Sequence, residues 1–202
     1  MIKLTVMMKL SAKEMLNKFS NNNLHSLEVK RLALIIFDEV NKKVSEMPLR
    51  YREYLEAAAL LHDIGYYIDE KGHNKHSMNM IIEYGLNGFN ELEEKIIGCI
   101  CRYHRGSLPD KDEHEVYNTL EKKERKIVKR LAAILKIADG LARGESSMVD
   151  SVLINYEEDS KIVEFIVIPK IEEFLPDLSY AIRKRDLFEI AFKCQSVLKF
   201  KN

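Results

Sequence analysis

Ala57-Ala58-Ala59-Leu60-Leu61-His62-Asp63-Ile64-Gly65-Tyr66 is the stretch whose reading decides how this chain folds. From Leu55 to Leu61 every residue except Glu56 is apolar, as expected of a helix surrounded by other helices. An imidazole and a carboxylate then follow side by side. On a regular helix such neighbours point about 100° apart. His62 and Asp63 can therefore serve one point in space only if the helix stops there, and Gly65 supplies the stop. Burying a carboxylate is costly unless it is paired or coordinated, so this pair calls for partners.

Helical periodicity spreads outward from that stretch as far as about residue 144. Ser11 can cap a short helix to about Phe19, which the Ser20-Asn21-Asn22-Asn23 run breaks. A long helix from about Leu24 to Val44 carries His25, Val29, Leu32, Ala33, Ile36 and Val40 on one stripe. The central helix spans about Tyr51 to His62, another runs from Lys75 to about Tyr84, and a fourth from Asn90 or Glu91 to near His104. Glu121 to Leu141 reads as a long amphipathic helix ended by Gly144. Beyond it, Val149–Tyr156 and Ile162–Ile168 are rich in β-branched and aromatic residues around a polar turn, a β-hairpin signal over about 149–168. Short helices at about Ile171–Phe174 and 178–198 close the chain. The expected fold class is mainly α: a helical body of residues 1–147 and a small α+β appendage of 148–202 packed on it.

The 202 residues carry 32 Lys+Arg and 32 Asp+Glu, a net charge of zero. That balance argues against a dedicated nucleic-acid binder. With hydrophobic residues at 46%, a packed core is expected rather than disorder. Cys99 and Cys101 are separated by one residue, the wrong spacing for a CxxC pair, and lie in an apolar helical run that reads as buried thiols. No apolar stretch approaches the about 18 residues of a membrane span. The first eight residues, Met1 to Met8, are too short and lack the small-residue cleavage site of a signal peptide, so a reduced cytoplasmic setting is the expectation.

Several polar residues stand where the helical pattern calls for apolar ones. His25 shares a face with Val29, Leu32 and Ile36, and His62 follows Leu55 and Ala58. His104 follows Ile97, Ile100 and Cys101, and His76 precedes Met80. Asp139 closes the stripe of Val128, Leu131 and Leu135. A lone histidine on such a face is more often hydrogen-bonded core than ligand. What points to a metal is coincidence: helices from four parts of the chain each turn an imidazole or carboxylate inward. Helical bundles build metal sites in this way. Imidazole with carboxylate suits Zn, Mn, Fe, Co or Ni, with oxygen ligands shifting the balance toward harder ions such as Mg.

His25, His62-Asp63 and Asp139 together resemble the H…HD…D signature of the HD superfamily of metal-dependent phosphohydrolases. Ala57–Tyr66, Gly72-His73-Asn74-Lys75-His76-Ser77, Arg102-Tyr103-His104-Arg105 and Ile137-Ala138-Asp139-Gly140-Leu141 look more specifically like the C-terminal HD domain of exopolyphosphatase/guanosine-pentaphosphatase proteins. The tail Asp186-Leu187-Phe188-Glu189 is similar as well, so the resemblance covers about residues 20–200. It implies a first divalent metal held by His25, His62, Asp63 and Asp139. A second ion would be served by His76 and His104, with Asp63 as the bridge and the catalytic carboxylate. Lys75, Arg102, Arg105 and Arg143 are the candidates for holding phosphate oxygens; their bland reading is solvated charge. Two positions depart from the pattern: Tyr66 stands where many catalytic HD enzymes carry Lys, and Ala142 where relatives often carry Asp. The actin-like catalytic domains of the exopolyphosphatase proteins have no counterpart in these residues, so that activity is not carried over.

The expected function is hydrolysis of a nucleotide or other phosphoester or phosphoanhydride by a metal-activated water. The alternative is a non-catalytic HD regulatory module that binds a phosphorylated ligand or a partner protein. A purely structural ion that staples helices is a third reading. A phosphorylated small molecule is the expected partner, with no membrane and no nucleic acid, and the hairpin can either cover the helical body or form a homodimer edge.

Overall fold

The computed structural model describes residues 9–20, 23–143 and 148–201. The leader assessment at Met1–Met8, the breaker Asn21-Asn22 and the stop at Gly144 fall outside them. The described chain is mainly helical. In order, it forms α1 (Ala12–Phe19), α2 (Leu24–Lys43), α3 (Leu49–Leu61), a 3-10 turn (Ile64–Tyr67), α4 (His73–Tyr84), α5 (Glu91–Arg102), α6 (Glu115–Asn118) and α7 (Lys122–Leu141). There follow β1 (Val149–Glu157), β2 (Ile162–Pro169), α8 (Ser179–Arg183), α9 (Asp186–Phe192) and β3 (Gln195–Phe200).

Local chemistry sets the ends of these helices. Ser11 and Glu14 form a reciprocal capping box at α1, and Asn90 and Glu93 form another at α5. Gly72 takes φ 81° just before α4 and Gly85 takes φ 68° just after it, backbone that a side chain would resist. The core gathers around α7, which packs against α2, α3, α5, α8 and α9. Every residue of α7 from Leu131 to Leu141 is buried, including Lys136 and Asp139. Lys136 reaches Asp186 at 3.1 Å, so its buried ammonium has an anionic partner.

The hairpin stands at the predicted place. β1 and β2 pair antiparallel, with Leu153 opposite Ile166, and the buried Val152, Ile154, Val163, Phe165 and Val167 form one face. Phe165 of that face meets Phe188 of α9 edge-on, with ring centroids 4.9 Å apart. Side chains of α2 occupy the free edge of β1: Ile154 N–H donates to Glu39 at 2.9 Å, and Lys43 donates to the Ile154 carbonyl at 2.7 Å. An open strand edge is thereby satisfied within the chain.

Two expectations for the tail fail. Residues 178–198 are not one helix: α8 ends at Arg183, α9 at Phe192, and Gln195–Phe200 forms a third strand parallel to β2, with Val163 opposite Ser196 and Phe165 opposite Leu198. Lys193 breaks the helix in left-handed conformation, φ 56°, and the alternation of buried Ser196 and Leu198 with exposed Val197 has the period of a strand. Residues 171–174 form turns and bends rather than a helix.

Candidate metal centre

Five segments converge on Asp63. The first turn of α2 supplies His25, the end of α3 supplies His62, and the residue after it is Asp63. His73 opens α4, His104 lies just past α5, and Asp139 sits in the last turn of α7. The helix does stop where adjacency requires it: α3 ends at Leu61, and Asp63 leaves helical conformation at φ −111°, ψ 4°.

The two oxygens of Asp63 face two different groups. Oδ2 lies 3.3 Å from His62 Nε2 and 3.9 Å from His25 Nε2. Oδ1 lies 3.4 Å from His73 Nε2 and 3.5 Å from His104 Nε2. Asp139 joins the first group through Oδ1, 3.2 Å from His25 Nε2 and 3.9 Å from His62 Nε2. Among the described residues, His25-His62-Asp63 and Asp63-His73-His104 each bring their ligand atoms within 4.8 Å of one another.

Backbone contacts fix the ring orientations. His62 Nδ1 is 2.9 Å from the Ala59 carbonyl, His73 Nδ1 2.9 Å from that of Glu70, and His104 Nδ1 2.7 Å from that of Cys101. Each ring donates from Nδ1 to the carbonyl three positions back, which turns Nε2 toward Asp63. This is how ligating histidines are set up by outer contacts. His62, His104 and His73 are 0%, 2% and 4% exposed, and His62 Nε2 and Asp63 Oδ1 are buried without a hydrogen-bond partner. A buried imidazole nitrogen and a carboxylate oxygen left without hydrogen-bond partners in this way fit a divalent cation.

Without an ion the charges must balance among themselves. Burial opposes charging His62, but Asp63 and Asp139 outweigh it and raise its pKa to about 9. Burial and the neighbouring His62 push His104 down to about 3. Burial works against ionising Asp63, yet His62 and His104 hold it well below the usual carboxylate range. Asp139 is held low against its own burial by His25 and Lys184.

His76 is not part of the cluster. It is half-buried one turn further along α4, and His73 takes the position expected of it. Sequence periodicity starts α4 at Lys75 and leaves His73 in a loop; the helix in fact begins at His73, whose position beside Gly65 brings its ring to Asp63. Of the four candidate phosphate ligands, Arg105 and Arg143 line the cavity of about 260 Å3 over the cluster, with Tyr66 beside them. Lys75 is exposed elsewhere, and Arg102 faces a separate pocket beside His114. Lys184, which carries no helical or strand signal, escapes sequence reading; it sits past the end of α8 and binds Asp139 Oδ2. Gly140 makes that approach possible, since a methyl group there would stand 2.6 Å from the Ala181 backbone. Tyr66 stacks on the His73 ring at 4.1 Å and 10°.

Fold and cluster together define a mainly α domain with a buried histidine–aspartate centre. Residues 8–176 match the family described as Ppx/GppA phosphatase, domain III, and the chain belongs to that family. It is similar to a guanosine-5'-triphosphate,3'-diphosphate pyrophosphatase of Pseudoalteromonas translucida (strain TAC 125), 34% identical over 80 residues, which are 40% of this chain and 16% of that protein. A protein of the same description from Pseudoalteromonas atlantica (strain T6c / ATCC BAA-1087) is 24% identical over 132 residues, 65% of this chain and 25% of its own length. The chain thus spans a quarter or less of these relatives. No helix among the described residues is long and apolar enough to cross a membrane.

Proposed function

We propose that this chain is an HD-type metal-dependent phosphohydrolase acting on a nucleotide or another phosphoester or phosphoanhydride. The observation that carries the reading is the division of Asp63: one oxygen faces His25 and His62, the other His73 and His104. His25, His62, Asp63 and Asp139 would hold one divalent ion, and His73 and His104, with Asp63 shared, a second. Such ions supply Lewis-acid polarisation of a phosphoryl oxygen and a more acidic water. Arg105 and Arg143 at the cavity mouth offer guanidinium groups to phosphate oxygens, whose geometry they match. Tyr66, stacked on the His73 ring, lines the cavity beside them. The family description and the phosphorylated guanosine nucleotides in the relatives' names support a phosphorylated small molecule as the ligand.

The test is elemental analysis of the purified protein together with hydrolysis assays over nucleotides, phosphomonoesters and phosphodiesters. Turnover that is lost with chelator and lost in Asp63→Asn is the expected result. A metal-loaded protein inert across the panel would sink the catalytic reading. Tyr66, standing where many catalytic HD enzymes carry Lys, favours one alternative, a regulatory module that binds a phosphorylated ligand or a partner protein. Saturable nucleotide binding without turnover, metal present, is its signature.

A further inference from the structure

A second cavity, of about 840 Å3, opens at the other end of α7 and shares no residue with the metal centre. Lys122, Arg125, Lys126, Lys129 and Arg130 line it from one helix, at spacings of three and four that put all five cations on a single face. Lys193, in the turn after α9, adds a sixth, and the loop residues Asp110, Lys111 and Asp112 also line the opening, the last two paired with each other. Like charges at these spacings repel one another, and an ordinary surface helix relieves this with interleaved acids. Here none of the six forms an ion pair among the described residues, although the neighbouring Lys123 pairs with Glu121 and Glu124. Arg130 is partly buried: its guanidinium lies 5.2 Å from the Phe192 ring centroid, its Nε is buried without a hydrogen-bond partner, and burial lowers its pKa. α9 contributes the apolar part of the lining, Ile190, Ala191 and Phe192, with Ile190 53% exposed.

We propose that this cavity is a separate ligand site for a nucleoside polyphosphate, its phosphates along the α7 stripe and its base against Ile190 and the Arg130–Phe192 pair. Both halves of the ligand answer features of the lining. The cations need a multiply charged anion, and the exposed apolar wall needs a flat, weakly polar group beside it. The cavity has the size of a small-molecule site. Asp139 lies nine residues beyond Arg130 on α7, about 13 Å along the axis, so the site can be filled independently of the metal centre.

Calorimetry with ATP as the probe, at low salt and in excess EDTA, tests this while keeping metal-site chemistry out. Saturable binding is expected. It weakens about tenfold in Lys126→Gln/Arg130→Gln, and comparably in Lys122→Gln/Lys129→Gln, with circular dichroism unchanged in both. Arg105→Gln, in the metal-site cavity, should leave it within about twofold. Inorganic tripolyphosphate should bind several-fold more weakly than ATP. Absence of ATP binding by the wild-type chain overturns the proposal, as does binding indifferent to both stripe variants or abolished by Arg105→Gln. Tripolyphosphate equal to ATP overturns the nucleoside assignment, and displacement of ATP by a short RNA at lower concentration overturns a small-molecule ligand. None of these outcomes bears on hydrolysis at Asp63, which is assayed separately.

Discussion

Gly65 lies directly beneath His73: a methyl group at position 65 would stand 1.9 Å from the His73 carbonyl oxygen and 2.6 Å from the Ser77 amide nitrogen. The turn that ends the HD pair and the helix that carries His73 are therefore in backbone contact, with no room for any side chain. Gly65→Ala must push α4 away, because the obstructing atoms are backbone and cannot rotate aside. Overpacking of this kind costs about 1–3 kcal/mol. Chemical denaturation should show that loss, and metal titration should show weakened binding through displacement of His73. Unchanged stability and affinity would disprove the contact.

Ser77 ties the same two segments by hydrogen bonds. Its Oγ accepts from Gly65 N–H at 2.9 Å and donates to the His62 carbonyl at 2.7 Å, both in buried surroundings. Ser77→Ala leaves a buried donor and a buried acceptor unsatisfied, a loss of about 1–3 kcal/mol. Because the His62 carbonyl is then free to move, metal affinity should fall with stability. A surface substitution such as Lys71→Ala is the control for both readouts.

Lys184 would compete with a bound cation for Asp139. Its ammonium occupies Oδ2, so an ion drawing on both oxygens of Asp139 must displace it. Lys184→Met should destabilise the metal-free protein, since a carboxylate only 7% exposed loses its partner. The same change should tighten metal binding by about tenfold, the worth of one ~1.4 kcal/mol interaction. Weaker binding in the variant would show instead that Lys184 supports the ion-bound arrangement.

The buried histidines give the metal-free protein a defined pH response. His62 has its folded pKa raised from 6.5 to about 9, so its contribution is fully present below pH 6.5 and is lost as pH rises through about 9. His104 is depressed to about 3; between that value and 6.5 the unfolded chain takes up a proton that the folded one refuses, and stability falls as pH drops through this window. Melting temperatures in chelator should therefore fall on both sides of neutrality. His62→Asn should remove the alkaline limb and make the acid one shallower, since His62 also helps to hold His104 down. Added metal should flatten the alkaline limb too, because the ion takes the place of the proton on His62.

Much of this was legible in the sequence because buried helices announce their inward faces. His25, His62, His104 and Asp139 each interrupt an apolar stripe at helical spacing, and the alternation of Ile162 to Ile168 marks the hairpin. Lys184 was invisible for the opposite reason: it belongs to a short helix end with no period, and it reaches Asp139 only through the close packing of Gly140 on Ala181. β3 was hidden by its neighbourhood, since Leu187, Phe188 and Ile190 set up a helical spacing that the chain abandons at Lys193. Arg105 and Arg143 could not be separated from Lys75 and Arg102 by spacing, because loop direction decides which cations turn into the cavity.

The choice between His73 and His76 shows the same limit and makes the sharpest test of the second ion position. The two are three residues apart, close enough to share a helix face, so periodicity alone favours whichever stands deeper in the predicted helix. The structure reverses that order: His73 Nε2 is 3.4 Å from Asp63 Oδ1, its Nδ1 is 2.9 Å from the Glu70 carbonyl, and Tyr66 holds the other side of the ring. His73→Ala should reduce bound metal by about half if two ions are held, or weaken a single one by about 10–100-fold, the usual cost of removing a supporting ligand contact. His76→Ala should leave metal content and affinity unaltered. Equal effects of the two substitutions would remove His73 from the ligand set, and a larger effect of His76→Ala would place the second position one turn further along α4.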